Sequence, residues 1–227
     1  MSVTAVGTID DGAQSLVPAG DVDVGGTSTL ISSGDANITV DDNTNEFVGA
    51  VSATGANVAL GDGSAIELAD IDATGNLAVT AVGAIDDGAV TGTTTDVDVA
   101  GTSTLLSSSL ANVTVDDTTN EFIGAVSAAG LNVTVADASA VELGDIDAAG
   151  NLSVTAVGAI DDGAPTAPDG DVDVIGTSTL VSSSGANVTV DDTTNEFVGP
   201  VTASGADVTL GDTSAIQLAD ILSLIHI

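Results

Sequence analysis

The 227-residue chain has no lysine and no arginine, while its 34 aspartates and glutamates give a formal net charge of -34 at pH 7. It can form no Lys or Arg salt bridge. It repels polyanions, so nucleic acid and anionic lipid are poor partners. Cysteine is absent too, which removes disulfides, Cys-ligated zinc and thiol catalysis together. There is no Trp or Tyr, and the single histidine is His226. No apolar run approaches the roughly 18 residues of a spanning helix. Met1 is followed by neither a basic n-region nor an h-region, and no membrane insertion of this segment is expected.

What remains is aliphatic. Apolar residues make up 43% of the chain and the mean hydropathy is +0.44, so a folded chain is expected despite the charge. The only aromatic residues are Phe47, Phe122 and Phe197, spaced 75 apart in D-D-N-T-N-E-F and two copies of D-D-T-T-N-E-F. D-V-D-V recurs at 21, 96 and 171, T-S-T-L at 27, 102 and 177, and I-D-D-G at 9, 85 and 160, with one extra residue between Gly12 and Asp21. Within each 75-residue repeat the pattern Asn/Asp, apolar, any, apolar marks shorter units of 20, 15, 20 and 20 residues starting at 76, 96, 111 and 131.

Each unit alternates apolar and polar residues before a Gly, Asp or Asn turn, which is strand periodicity. A 20-residue unit cannot bury a core alone, but stacked units share one. The expected fold is all-β: a parallel, right-handed β-helix or β-solenoid with four coils per repeat and about twelve in all. At roughly 4.8 Å per stacked strand it would be a rod of about 55 to 60 Å. Three tandem β-sandwiches would share the long period, but a core with one ring per repeat argues against them. One array is expected over 1–221, with repeats at about 1–75, 76–150 and 151–221. The last six residues, L-S-L-I-H-I at 222–227, depart from the repeat and read as a non-native tail, which leaves His226 without a role.

The phenylalanines are expected to plug the lumen. Asn37, Asn57, Asn76, Asn112, Asn132, Asn151 and Asn187 start their coils, with Asp21, Asp96, Asp171 and Asp207 in the remaining turns. Stacked amides at one corner can form a hydrogen-bonded ladder, which explains their spacing better than the N-x-T and N-x-S sequons do.

The run G-N-L-x-V-T-A-V-G-A-I-D-D-G, followed by N-V-T-V-D-D-T-T-N-E-F-x-G-A-V and A-x-x-L-G-D-I, resembles the β-strand repeats of giant secreted bacterial exoproteins, the filamentous-haemagglutinin-like adhesins. The resemblance spans residues 1–221. It implies a right-handed β-helix, an exported fibre at the cell surface, adhesion to host or environmental glycans or proteins, and an outer-membrane secretion partner. The chain departs from that family in having no basic residue.

Catalysis finds little support in the residue types. No His, Lys or Cys can activate a nucleophile once His226 is set aside. The pairs Asp10-Asp11, Asp41-Asp42, Asp86-Asp87, Asp116-Asp117, Asp161-Asp162 and Asp191-Asp192 could suggest a polysaccharide-cleaving β-helix enzyme, but no Arg, Lys or aromatic subsite exists to grip a sugar. Cation binding is the better candidate. The repeat alignment stacks Asp42 near Asp62, Asp117 near Asp137, and Asp192 near Asp212, and like charges about 5 Å apart repel unless an ion or proton intervenes. Weak calcium binding at these six residues is therefore the expected metal chemistry, although neither an EF-hand nor a G-G-x-G-x-D repeat is present. No cofactor is required. Solvated acidic turns, and a calcium-bridged S-layer or matrix scaffold, are the competing readings. T-S-T occurs once per four expected coils, too sparsely for an ice-binding face.

Overall fold

The computed structural model describes residues 1–12, 21–88, 96–163 and 170–223. Among them the chain forms 27 strands, nine in each repeat, and no helix. Val, Ile and Thr dominate the strands because branched side chains pack well on a pleated surface. In Val126–Gly130, Val133–Asp137 and Val141–Ala148 alternate residues are buried, the two-residue period placing one face inward.

Every strand pairing is parallel, and consecutive strands alternate between a 13-stranded and a 12-stranded sheet. The fold is a parallel β-solenoid, as the repeats predict. The coil count differs. Following one column, Val58 pairs with Leu77, Leu77 with Ser103, Ser103 with Val126, and Val126 with Leu143; from Val141 on the same strand the path continues to Ile160, Val188 and Val208. Seven turns thus cover the two repeat periods between Val58 and Val208, three and a half per repeat instead of four.

The missing half turn has a physical reason. D-V-D-V does not begin a coil. Ile85–Asp86 and Val97–Val99 lie in one sheet and belong to one turn; the first pairs with the start of Ile66–Ala73 and the second with its end. The segment between them interrupts a wide strand, so units of 20 and 15 residues merge into one turn with an insertion. Val113–Val115 and Glu121–Phe122 are a second interrupted strand, split by D-D-T-T-N.

A half-integral repeat places equivalent residues of successive repeats on opposite faces. Leu77–Ala81 lies in the 12-stranded sheet, whereas Leu152–Ala156 lies in the 13-stranded one. The same holds for Glu121–Phe122 and Glu196–Phe197. One continuous apolar core runs between the sheets from Leu30 to Ala203. Phe47, Phe122 and Phe197 are fully buried in it, as expected of lumen plugs.

The amide ladder forms, but as separate runs. Asn57 Nδ2 donates to Asn37 Oδ1 at 2.9 Å, Asn76 N to Asn57 Oδ1 at 2.9 Å, and Thr102 N to Asn76 Oδ1 at 3.0 Å. A second run joins Asn112, Asn132, Asn151 and Thr177. Each run ends on the Thr of T-S-T-L, so Asp96 and Asp171 are not rungs. At Gly101 a Cβ would collide with Asn76 Oδ1, and glycine alone lets the chain pass the ladder there. Of the proposed tail, Leu222 and Ser223 continue the strand Gln217–Ser223, while 224–227, with His226, lie outside the described residues.

Candidate functional site

The conserved-looking acidic motifs of the repeat turn out to be each other's partners. In the second repeat, Asp87 of I-D-D-G lies under the D-D-T-T-N turn of the next coil. Its carboxylate accepts from Asp116 N at 3.2 Å, Asp117 N at 3.1 Å and Asn120 Nδ2 at 2.8 Å. Asn120 Oδ1 in turn accepts from Val97 N at 2.9 Å. Both side chains are buried. The third repeat repeats the set with Asp162, Asp191, Asp192, Asn195 and Val172. The first has it with Asp11, Asp42, Asn45 and Val22, at a separation one residue longer. That longer separation is the extra residue between Gly12 and Asp21.

The six aspartates expected to hold calcium serve backbone donors in this arrangement. Asp62, Asp137 and Asp212 each accept from the N–H of the phenylalanine one coil earlier, Phe47, Phe122 and Phe197, at 2.8 Å in all three. Asp42, Asp117 and Asp192 close their own turns on Thr44, Thr119 and Thr194. Asp62, Asp117, Asp137 and Asp192 are buried, and Asp42 and Asp212 half-buried. The strand register carries Val113 to Val133 and so brings Asp117 and Asp137 to neighbouring coils, but the two carboxylates face different donors. Among the described residues no group of three or more His, Cys, Asp or Glu is placed to hold a metal ion.

A denser carboxylate array lies outside the lumen. Asp72 pairs in register with Asp98, and Asp98 with Glu121. One repeat later Asp147, Asp173 and Glu196 are stacked the same way on the opposite face. Adjacent strands are about 4.8 Å apart, so each trio is a column of three like charges. The signal was present in A-D-I-D-A, D-V-D-V and N-E-F, whose second acidic residues share a face only once the 26- and 23-residue offsets of the true coils are known.

The repeat itself has counterparts elsewhere. Residues 1–54, 55–129 and 130–204 match the family described as Repeats of unknown function (DUF5649). The chain belongs to this family. No curated protein and no solved structure matches it. The DUF5649 unit from 55 to 129 spans the same 75 residues as the sequence period, and its boundaries at Gly55, Gly130 and Gly205 each fall at the last residue of a five- or six-residue strand or directly after it.

The DUF5649 carboxylates divide into two electrostatic groups. Asp98 and Asp173 in the columns are raised above the ordinary aspartate value, first by burial and then by neighbouring carboxylates. Asp116 and Asp70 are raised for the same reasons. Asp192 is lowered by the N–H and O–H of Thr194. At Asp212 burial opposes ionisation, but the N–H groups of Phe197 and Ser214 and the Ser214 hydroxyl lower it overall.

These directions set an unusual pH response. A raised carboxyl binds its proton more tightly folded than unfolded, so its contribution to stability falls as pH rises from the unfolded value through the folded one. A lowered carboxyl does the opposite: its contribution is present above the unfolded value and is lost as pH falls through the folded one. Four groups are raised and two lowered, and the net charge of -34 shrinks on acidification. The thermal midpoint should therefore rise between pH 7.5 and pH 5 and fall only below about pH 3.8, where the Asp192 and Asp212 contributions are lost. Circular dichroism melts at fixed ionic strength would show this. A midpoint that drops steadily from pH 7.5 downward would rule it out.

Proposed function

We propose that this segment is a structural stalk or passenger region of a large secreted or cell-surface adhesin-like protein, with no catalytic role of its own. The observation that carries the reading is the threefold recurrence of the Asp-Asn closure. The acidic pairs that could have formed a glycosidase centre are used, at Asp11, Asp87 and Asp162 alike, to seal turns of the solenoid. Stacked units of this kind extend a fibre by repetition. Neighbouring repeats of the same chain are its first partners; glycans or proteins of a host or environmental surface, and an outer-membrane secretion partner, follow from the adhesin-like reading. Among the described residues there is no helix to cross a membrane.

An antibody raised against the folded segment tests the location. It should label intact cells of the source organism, and external protease should remove the signal. Labelling that requires permeabilised cells would refute the surface reading.

A calcium-bridged layer or matrix scaffold is the second reading, and the outward carboxylate columns favour it. Chelation of divalent ions should then release the labelled material from cells, whereas a covalently continuous stalk keeps it attached.

A further inference from the structure

An apolar groove recurs with the repeat, independently of any surface role. In the third repeat it has a volume of about 520 Å³ and is lined by Asp147, Asp173 and Glu196 together with Ala148, Ile175 and Val198. Seventy-five residues earlier the equivalent groove holds Asp72, Asp98 and Glu121 with Ala73, Ala100 and Ile123. The later groove is larger because Leu106 and Leu110 extend its wall. Their counterparts in the earlier repeat are Ile31 and Asp35. Leu110 sits in the left-handed region at φ 56°, a conformation that its third-repeat equivalent Gly185 adopts at φ 71°.

We propose that the third-repeat groove binds a linear aliphatic polyamine, its ammonium groups on the carboxylate column and its methylene spacers on the aliphatic walls. The walls are exposed: Ile175 by 62%, Val198 by 59% and Leu110 by 59%. With no Lys or Arg in the sequence, no side-chain cation of this chain except His226 could neutralise the column. Asp173 Oδ1 is buried and has no hydrogen-bond partner, a costly state for a carboxylate oxygen that an ammonium donor would relieve. A polyamine alternates charge and hydrocarbon as the groove does. A compact hydrated metal ion would leave Ile175, Val198 and Leu110 uncovered, and the described residues offer it no site of three ligands. The volume falls within the range of roughly 300–1,000 Å³ typical of small-molecule sites.

The test is calorimetric titration of the whole chain with spermidine at about 0.15 M salt, where general screening is already strong. Hexaamminecobalt(III) serves as a trivalent cation without methylenes, and calcium as a competitor. Asp173→Asn with Glu196→Gln should weaken spermidine at least tenfold, while the exposed pair Asp35→Asn with Asp207→Asn, which removes the same charge, should change it less than twofold. Ile175→Ser with Val198→Ser should weaken spermidine several-fold and leave hexaamminecobalt unaltered. Equal losses from the two charge-removing pairs, wall variants without effect, or displacement of spermidine by equimolar calcium would each overturn the assignment. Should the column variant fail to fold, Ile175→Ser alone, at a surface position, carries the same test.

Discussion

Phe122→Ala is expected to destabilise the solenoid by about 3 to 5 kcal/mol, the cost of emptying a fully buried aromatic site. The ring has no exposed surface. Its strand, Glu121–Phe122, is only two residues long and pairs with Asp98 and Val99, so little backbone pairing exists there to hold the coil if the ring is lost. The Phe122 N–H bond to Asp137 is a backbone bond that alanine preserves. The measured loss would therefore report the cavity and not the turn. In a stacked-repeat protein the loss is felt mainly by the coils that touch the site. Denaturant unfolding followed by amide exchange should show Val97–Val99 and Val126–Gly130 losing protection most. Phe122→Leu, which refills part of the volume, should cost clearly less than alanine. A loss below about 1 kcal/mol for alanine would mean that the coils collapse onto the vacated space.

The same residue illustrates what the sequence made legible. Strand period, repeat length and the inward placement of Phe47, Phe122 and Phe197 all follow from local alternation, because a two-residue period needs no long-range information. The turn count did not follow. D-V-D-V carries the same alternation as a true coil start, and nothing local distinguishes a new turn from the second half of an interrupted strand. Only the pairing of Val97 with Ile71 shows that the chain has not gone round again. The error then propagated to the charges. A four-coil repeat stacks every repeat on the same face, whereas three and a half turns send the Asp72 and Asp147 columns to opposite faces. The calcium expectation read Asp117 and Asp137 as neighbours in need of a cation, when each had a backbone donor to satisfy. The Asn of N-E-F was missed because attention went to the ring beside it, although Asn45, Asn120 and Asn195 recur as strictly as the phenylalanines and at a fixed distance from I-D-D-G.

That closure should be worth as much as the ring. Asp87 accepts three hydrogen bonds, from Asp116 N, Asp117 N and Asn120 Nδ2, and it is buried beside a buried Asn120 and Asp117. Asp87→Ala removes all three acceptors at once and leaves the donors in the interior, where each unpaired group costs about 1 to 3 kcal/mol. A loss of about 3 to 5 kcal/mol is expected once partial rehydration is allowed for. Removing the partner instead, by Asn120→Ala, frees Val97 N and one carboxylate oxygen, so it should cost less than Asp87→Ala. The double variant should fall short of the sum of the two, because the 2.8 Å bond between them is lost only once. Asp86→Ala is the control: its carboxylate holds only Gly88 N in a local turn, and a change of under about 1 kcal/mol is expected there. The sign of the result decides between the two views of these acidic pairs. If Asp87 were a surface charge suffering repulsion from its neighbours, alanine would stabilise the chain, and the stabilisation would shrink as salt is added. If it is the keystone of the turn, alanine destabilises at every salt concentration, and low salt does not rescue it.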